Sequence, residues 1–470
     1  MRYYLINVSL LLAPLGIFML GADWVGILVG LLLWASYAGD RWLSDNPLYR
    51  NYPLTGRLLG LIRRSSRIAL DRPYPEGSVH VIMAYGRGEA PYSSFGTRHL
   101  PDDKLWVRHS NFSVAEPRGK FVVTVGGKDC AQPYECALFN ISALSFGALT
   151  ANAIKALSMA AHRGGFFYNT GEAGLHSAAL EGKGELVWQI GTGYFGCRDK
   201  QGRFDEEAFT RIAHLSNVRM VEIKLSQGSK PALGGFLPAS KVNKEIAELC
   251  GIPAYKDSVL PMRHAAFDSP SSLLRFITRL RKLSDGKPVG IKLCVGQRSE
   301  VEALVRAMAE ADTFPDYIAI DGNDGGSGAA PVEYQDGVGI PLREGLQLFD
   351  SLLRQAGLRN NIRLIASGKI VTAKDVFASI AHGADICVAA RPFLLAMGCV
   401  QALACETGMC PTGITSSHWG LDKGVSPGKR AQYLANYQRG VVETFGKMLA
   451  SADLTTPSQI TPAHIGGPES

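Results

Sequence analysis

The chain has 470 residues, 46% of them hydrophobic and 19% charged, with 52 glycines. That is too long and too apolar for a disordered tail or a disulfide-stapled miniprotein. A net charge of +7 with no basic run interleaved with aromatics does not call for nucleic acid, and nine cysteines without a secretory cleavage site argue for reduced thiols or metal ligands.

The first element is apolar. Residues 3–38 hold no Lys, Arg or Glu and a single Asp, in two runs, Tyr3–Leu20 and Trp24–Tyr37, split by Gly21-Ala22-Asp23. Each run is near the lower limit of roughly 17–20 residues for a spanning helix. A second run stands where a signal peptide would have its cleavage site. The pattern predicts a transmembrane helical hairpin over residues 1–45. Arg2 before it and Arg41 after it put both ends in the cytoplasm. The expectation is a multi-pass protein of the inner membrane, in contact with lipid, its catalytic domain cytoplasmic. Residues 46–120 follow as a basic segment and connector. Arg57, Arg63, Arg64 and Arg67 belong to an amphipathic stretch that suits either an anionic leaflet or an ordinary surface helix. From Asp71 to about Lys120, Pro, Gly and aromatics read as an ordered connector.

Residues 121–450 alternate short β-branched runs with amphipathic stretches, and 451–470 form a tail. The predicted strands are Ala137–Ile141, Phe166–Asn169, Val187–Ile190, Met220–Leu225, Val289–Leu293, Tyr317–Ile320, Ile362–Ala366 and Ile386–Ala389, with helices such as Ser271–Leu283 and Glu300–Ala311 between them. About eight β/α units in roughly 300 residues fit an α/β (β/α)8 TIM barrel better than an open sheet. No Gly-x-Gly-x-x-Gly turn follows the first strand, as a doubly wound sheet would want.

Polar and glycine clusters fall at strand ends, where barrel chemistry sits. They contain Ser145; Asn169 to Glu172; Glu222 to Pro231, with Lys224, Gln227 and Lys230; Lys292; Asp321 to Gly328, with Gly325 and Gly326; Ser367-Gly368-Lys369; and Ala390-Arg391. The loops after the last two strands commonly hold a phosphate, which small residues admit and Lys369 or Arg391 would neutralise. Lys292 points into the barrel mouth from mid-strand and needs an anionic partner, either a barrel carboxylate or the N1–C2=O edge of a reduced flavin. FMN suits the whole arrangement. Cys399, Cys405 and Cys410 follow as C-x5-C-x4-C, a spacing open to an iron–sulfur cluster or to three core thiols.

Together these motifs resemble the FMN-binding synthase domain of glutamate synthase. The stretches that carry the resemblance are Ser142 to Leu149, Asn169-Thr170-Gly171-Glu172, Ile223 to Pro231, Asp321 to Ala329, and Cys399 to Gly413. It covers residues 120 to 445 and is nearest to the single-chain, membrane-anchored bacterial branch of that family. The resemblance implies FMN at the barrel mouth and a three-iron, four-sulfur (3Fe-4S) cluster on Cys399, Cys405 and Cys410. It implies condensation of ammonia with 2-oxoglutarate to 2-iminoglutarate, then hydride delivery to give L-glutamate. Lys224, Gln227 and Lys230 would hold the dicarboxylate, and Glu172 would manage a proton or the ammonia nitrogen. Electrons would come from an external donor, a ferredoxin-like protein or an NAD(P)H reductase subunit.

The departures sit near the substrate. Ala232-Leu233-Gly234-Gly235 replaces Gly-Glu-Gly-Gly, and Pro261-Met262-Arg263-His264 replaces a longer Pro/His segment. Neither the family's glutamine-hydrolysing cysteine domain nor its C-terminal β-helix is expected here. Two other readings stay open: an FMN oxidoreductase with a different substrate, and a non-catalytic flavin electron-transfer subunit at the membrane.

Overall fold

The computed structural model describes residues 23–57, 73–92, 105–117, 120–239, 241–327, 330–335 and 337–467. Eight parallel strands close into a barrel in strict chain order: β1 (Phe139–Ile141), β2 (Phe167–Asn169), β3 (Glu185–Ile190), β4 (Val218–Lys224), β5 (Val289–Leu293), β6 (Tyr317–Asp321), β7 (Arg363–Ser367) and β8 (Ile386–Ala389). All eight predicted strands are present, and β5 and β8 keep their predicted bounds.

Side-chain alternation on the strands sorts residues between two environments. One set, including Ile141, Trp188, Ile223, Ile291, Ile318 and Leu364, packs into the main core. The alternate set faces the barrel axis. Its lower layer is apolar: Phe167, Val187, Met220, Tyr317, Ala319, Ile365, Ile386 and Val388. An antiparallel hairpin, Val122–Val125 against Tyr134–Ala137, closes that end with Val125, Tyr134 and Cys136. Gly290 is the inward residue of β5 at this level, and a Cβ there would run into the Tyr317 ring. The missing side chain is what lets a buried tyrosine into the barrel, its hydroxyl donating to Val221 O at 3.1 Å.

The first predicted strand spans two elements. Leu138 divides them, its N–H donating to Phe121 O beside the hairpin and its carbonyl accepting from Cys387 N on β8. A continuous β-forming run therefore serves two sheets.

Helices lie outside the ring of strands. They include α1 (Asp23–Ala38), α2 (Pro47–Asn51), α3 (Glu76–Arg87), α4 (Ala151–Gly164), α5 (Pro270–Leu283), α6 (Arg298–Ala311), α7 (Arg391–Met397) and α8 (Pro427–Ser451). Ser269 and Ser272 form a capping box that starts α5 one residue before the predicted helix. The connector is tied to the C-terminal tail: Trp106–Val107 pairs antiparallel with Ile465–Gly466, and Ile460 and Ile465 are buried.

The N-terminal expectation fares differently. The second apolar run is α1, of 16 residues, followed by a π-helical turn over Gly39–Leu43. Its length is about 24 Å at 1.5 Å per residue, against a hydrocarbon core of roughly 30 Å. Among the described residues no helix is long and apolar enough to cross a membrane. The first run, Tyr3–Leu20, and the basic stretch beyond Arg57 lie outside the described residues.

Candidate active site

Above the apolar layer the barrel interior turns polar. Asn169, Gln189 and Glu222 are buried inward residues at the C-terminal ends of β2, β3 and β4. Asn169 Nδ2 and Gln189 Nε2 both donate to Glu222 Oε1, at 2.8 and 2.7 Å. Burial nonetheless raises the Glu222 carboxyl above its ordinary range, outweighing nearby Lys292 and the two amides. Across the barrel, Lys292 Nζ on β5 lies 3.5 Å from Asp321 Oδ2 on β6. Asp321 also accepts from Ser367 Oγ on β7 at 2.7 Å and from Gly228 N at 2.8 Å. Lys292 thus has the carboxylate partner its burial requires. A cavity of about 10 Å³, the size of one water, lies among these residues.

A second charged group lies at the rim. Lys224, last residue of β4, donates to Glu172 Oε1 at 2.5 Å, and both side chains are largely shielded from solvent. Burial pushes the Glu172 carboxyl up, but Lys224, Lys230 and His264 more than offset it, so it is held below the usual range. Lys230 is lowered, first by burial and then by Lys224 beside it. His264 is buried, with Nε2 2.9 Å from Lys224 O and Nδ1 3.2 Å from the Tyr194 hydroxyl. Its ring stacks on Phe267 and burial lowers its pKa. Gln227 is half-buried in the loop between Lys224 and Lys230.

The loops after β1 and β2 meet at Ser145. Gly171 has φ +68°, and a Cβ there would sit 2.8 Å from Ser145 Cβ. Only glycine satisfies both the left-handed backbone and the approach.

The expected phosphate loops are brought together on the opposite rim. Arg391, the first residue of α7, packs against Gly326, where a side chain would collide with the guanidinium. Its Nη2 donates to Ser327 O at 3.2 Å. Gly325 is buried, Ala390 is the N-cap of α7, and Gly368 and Lys369 both have positive φ, with Lys369 exposed. Glycine-rich backbone around a guanidinium is a fit for a phosphate-bearing group.

Cys399, Cys405 and Cys410 lie on the segment after α7. Burial raises the Cys399 thiol to about 12 and also raises Cys405, while hydrogen bonds involving Thr412 and Thr415 overcome burial to lower Cys410. Cys405 and Cys410 both raise Cys399, so the three share one electrostatic neighbourhood, with Arg391 opposing at the first two. Lys241 Nζ donates to Cys405 O at 2.6 Å. Among the described residues no three His, Cys, Asp or Glu side chains are placed to hold a single metal ion.

Reading the sequence did not single out Asn169, Gln189 and Glu222 as a hydrogen-bonded site. The available signal was spacing: Glu222 is two residues before Lys224 on one strand, so both face inward. Arg263 is exposed at a groove of about 450 Å³ that it lines with His264, Phe267, Gln297 and Glu300.

A (β/α)8 barrel whose mouth holds two separate carboxylate–ammonium pairs is the class that fold and site define. The family model described as "Conserved region in glutamate synthase" matches residues 122–455. The chain is 36% identical over 370 residues to the glutamate synthase large subunit-like protein YerD of Bacillus subtilis (strain 168), covering 77% of this chain and 70% of that one. It is 35% identical over 300 residues to an archaeal-type glutamate synthase (NADPH) of Dehalococcoides mccartyi, covering 64% and 57%. It is 33% identical over 317 residues to the archaeal glutamate synthase (NADPH) of Methanocaldococcus jannaschii, covering 67% and 59%. The chain belongs to the glutamate synthase family, a family of oxidoreductases acting on CH–NH2 donors. It spans less than two thirds of the length of those two archaeal-type relatives.

Proposed function

We propose that the chain is a glutamate synthase-like oxidoreductase, dependent on FMN and an iron–sulfur cluster, that reductively aminates 2-oxoglutarate or a related 2-oxo acid with ammonia. The observation that carries this reading is the rim group at the barrel mouth, a Glu172 carboxylate paired with Lys224 and lying within the electrostatic reach of Lys230. Lys224 and Lys230 supply the positive field a dicarboxylate needs, and Gln227 lies on the loop between them. Glu172, held ionised, accepts hydrogen bonds from the ammonia or imine nitrogen and orients it as water leaves the oxo carbon. Bound FMN would supply the hydride that reduces the imine, and the cluster would feed it electrons from an external donor, ferredoxin-like or an NAD(P)H reductase subunit.

The residues fit both groups. Lys292, Asp321 and Ser367 would face the flavin ring, with Ser145, Gly325, Gly326, Gly368, Lys369, Ala390 and Arg391 around its phosphate chain. Cys399, Cys405 and Cys410 form a donor set suited to a 3Fe-4S cluster, in which each thiolate takes its own iron. The apolar N-terminal region supports attachment to the inner membrane, with the barrel on the cytoplasmic side.

The test is anaerobic. Detergent-purified protein is analysed for flavin, iron and acid-labile sulfide, reduced with dithionite, and mixed with 2-oxoglutarate with and without ammonium. Ammonium-dependent flavin reoxidation with glutamate formed is the expected result. Flavin that stays reduced with both present sinks the substrate assignment. The groove at Arg263 and His264 favours a second reading, a bulkier 2-oxo acid, which the same assay reports when larger 2-oxo acids replace 2-oxoglutarate.

A further inference from the structure

The N-terminal segment grips the cysteine segment from outside. Asn51, last residue of α2, donates from Nδ2 to Pro411 O at 3.1 Å and to Leu421 O at 2.8 Å. Pro47 at the start of α2 packs against Gly398, directly before Cys399. Lys429 joins Asp45 at 2.8 Å and Leu43 O at 3.3 Å. From the connector, buried Tyr74 exchanges two hydrogen bonds with the Gln401 side chain, at 3.0 and 3.1 Å, while Gln401 N lies 3.4 Å from Cys399 Sγ. The region that carries α1 is thus fastened to the loop that carries the three thiols.

Both sides of this clamp expose large apolar side chains. Trp42 and Leu43 are 61% and 77% exposed, and Leu403, Met409 and Trp419 are 53%, 48% and 67% exposed. Leu403 and Trp419 are also non-glycine residues with φ +51° and +52°. A bulky side chain in the left-handed region is strained, and strain persists where it serves a site. At both positions the side chain is apolar and open to water, a second cost that a covering partner would remove.

We propose that the surface carrying Cys399, Cys405 and Cys410 is a membrane-docking face, with Trp42, Leu43, Leu403, Met409 and Trp419 seated in the interfacial layer of a bilayer. This rests on the reading of the N-terminal region as a membrane anchor. Lipid is favoured over a protein partner by continuity with α1. From Trp24 to Gly39 there is no charged side chain, and Trp24, Val25, Ile27, Leu28, Leu31, Leu32 and Trp34 are all exposed. At 100° per residue these positions cover about half the helix circumference. A protein interface has a polar rim, which this stretch lacks, whereas exposed tryptophans suit the headgroup boundary. An electron donor to a cluster held by these three thiolates would then meet the chain at the membrane surface.

The experiment uses the full chain in 3:1 phosphatidylcholine–phosphatidylglycerol vesicles, with and without brominated acyl chains. Emission lost in Trp419→Phe isolates Trp419, and emission lost in Trp34→Phe isolates Trp34. The expected result is at least twofold quenching of both by brominated lipid. A Leu403→Glu/Met409→Glu variant is expected to relieve quenching at Trp419 and leave it at Trp34. Quenching of Trp34 alone in the wild type overturns the docking face and leaves the anchor standing. Quenching of neither removes the anchor and the docking face together. Trp419 shielded from aqueous iodide yet untouched by bromine assigns the face to protein contact and also overturns the proposal.

Discussion

Glu172 and Glu222 occupy the same barrel mouth, and their surroundings drive them in opposite directions. Glu172 is held below its ordinary range by Lys224, Lys230 and His264 against its burial, whereas burial dominates at Glu222. The consequences for stability have opposite signs. The Glu172 contribution is present above the unfolded-state value near 4.5 and is lost as pH falls through the lower folded-state value. The Glu222 contribution is present below 4.5 and is lost as pH rises through the higher folded-state value. Urea midpoints measured across pH 3 to 8 should therefore diverge in two ways. The wild type gains on Glu172→Gln as pH rises toward 5, and loses ground to Glu222→Gln above that. Parallel curves for all three proteins would contradict the assignment. In turnover, Glu172→Gln should lower the rate by roughly 10²–10⁴-fold, the range for a positioned acid–base group. Its stability cost at neutral pH should be about 1–3 kcal/mol for the lost charged hydrogen bond to Lys224.

The elements that carry these residues depend on what fills the barrel beneath them. Tyr317 is wholly buried, and the absent side chain at Gly290 makes its room. Gly290→Ala should destabilise the fold by about 1–3 kcal/mol, the usual cost of overpacking, and Tyr317→Leu added to it should recover part of that loss. Thermal unfolding of the two single variants and of the double variant checks this, and strictly additive losses would argue against the contact. Strand positions were legible because each strand is a short run rich in β-branched or aromatic residues near turn residues, and such runs need only local sequence. The split at Leu138 was not legible. Whether a run continues or divides is decided by which carbonyls and N–H groups lie beside it, here Phe121 O and Cys387 N.

At the scale of the whole molecule, the N-terminal segment and the cysteine segment stabilise each other across most of the chain. Asn51 and Pro411 are 360 residues apart in sequence, and Tyr74 and Gln401 are 327 apart. Asn51→Ala should loosen residues 411–424 at a cost of about 1–3 kcal/mol, since two part-buried carbonyls lose their donor. Hydrogen exchange should quicken there and stay unchanged on β5 to β7, and the iron content expected of the proposed cluster should fall. Unchanged exchange at 411–424 would mean that the segment holds itself. Fold class, the order of the strands and the loops that bear Glu172, Lys224, Lys230, Lys292 and Arg391 were readable from the chain alone, because alternation, glycine placement and turn chemistry are local properties. The carboxylate–amide group of Glu222, Asn169 and Gln189, the pairing of Lys292 with Asp321, and the clamp on the cysteine segment were decided by tertiary structure. Each depends on barrel closure or chain return bringing distant polar groups within hydrogen-bonding distance, and the desolvation that sets their protonation exists only once the barrel has closed around them.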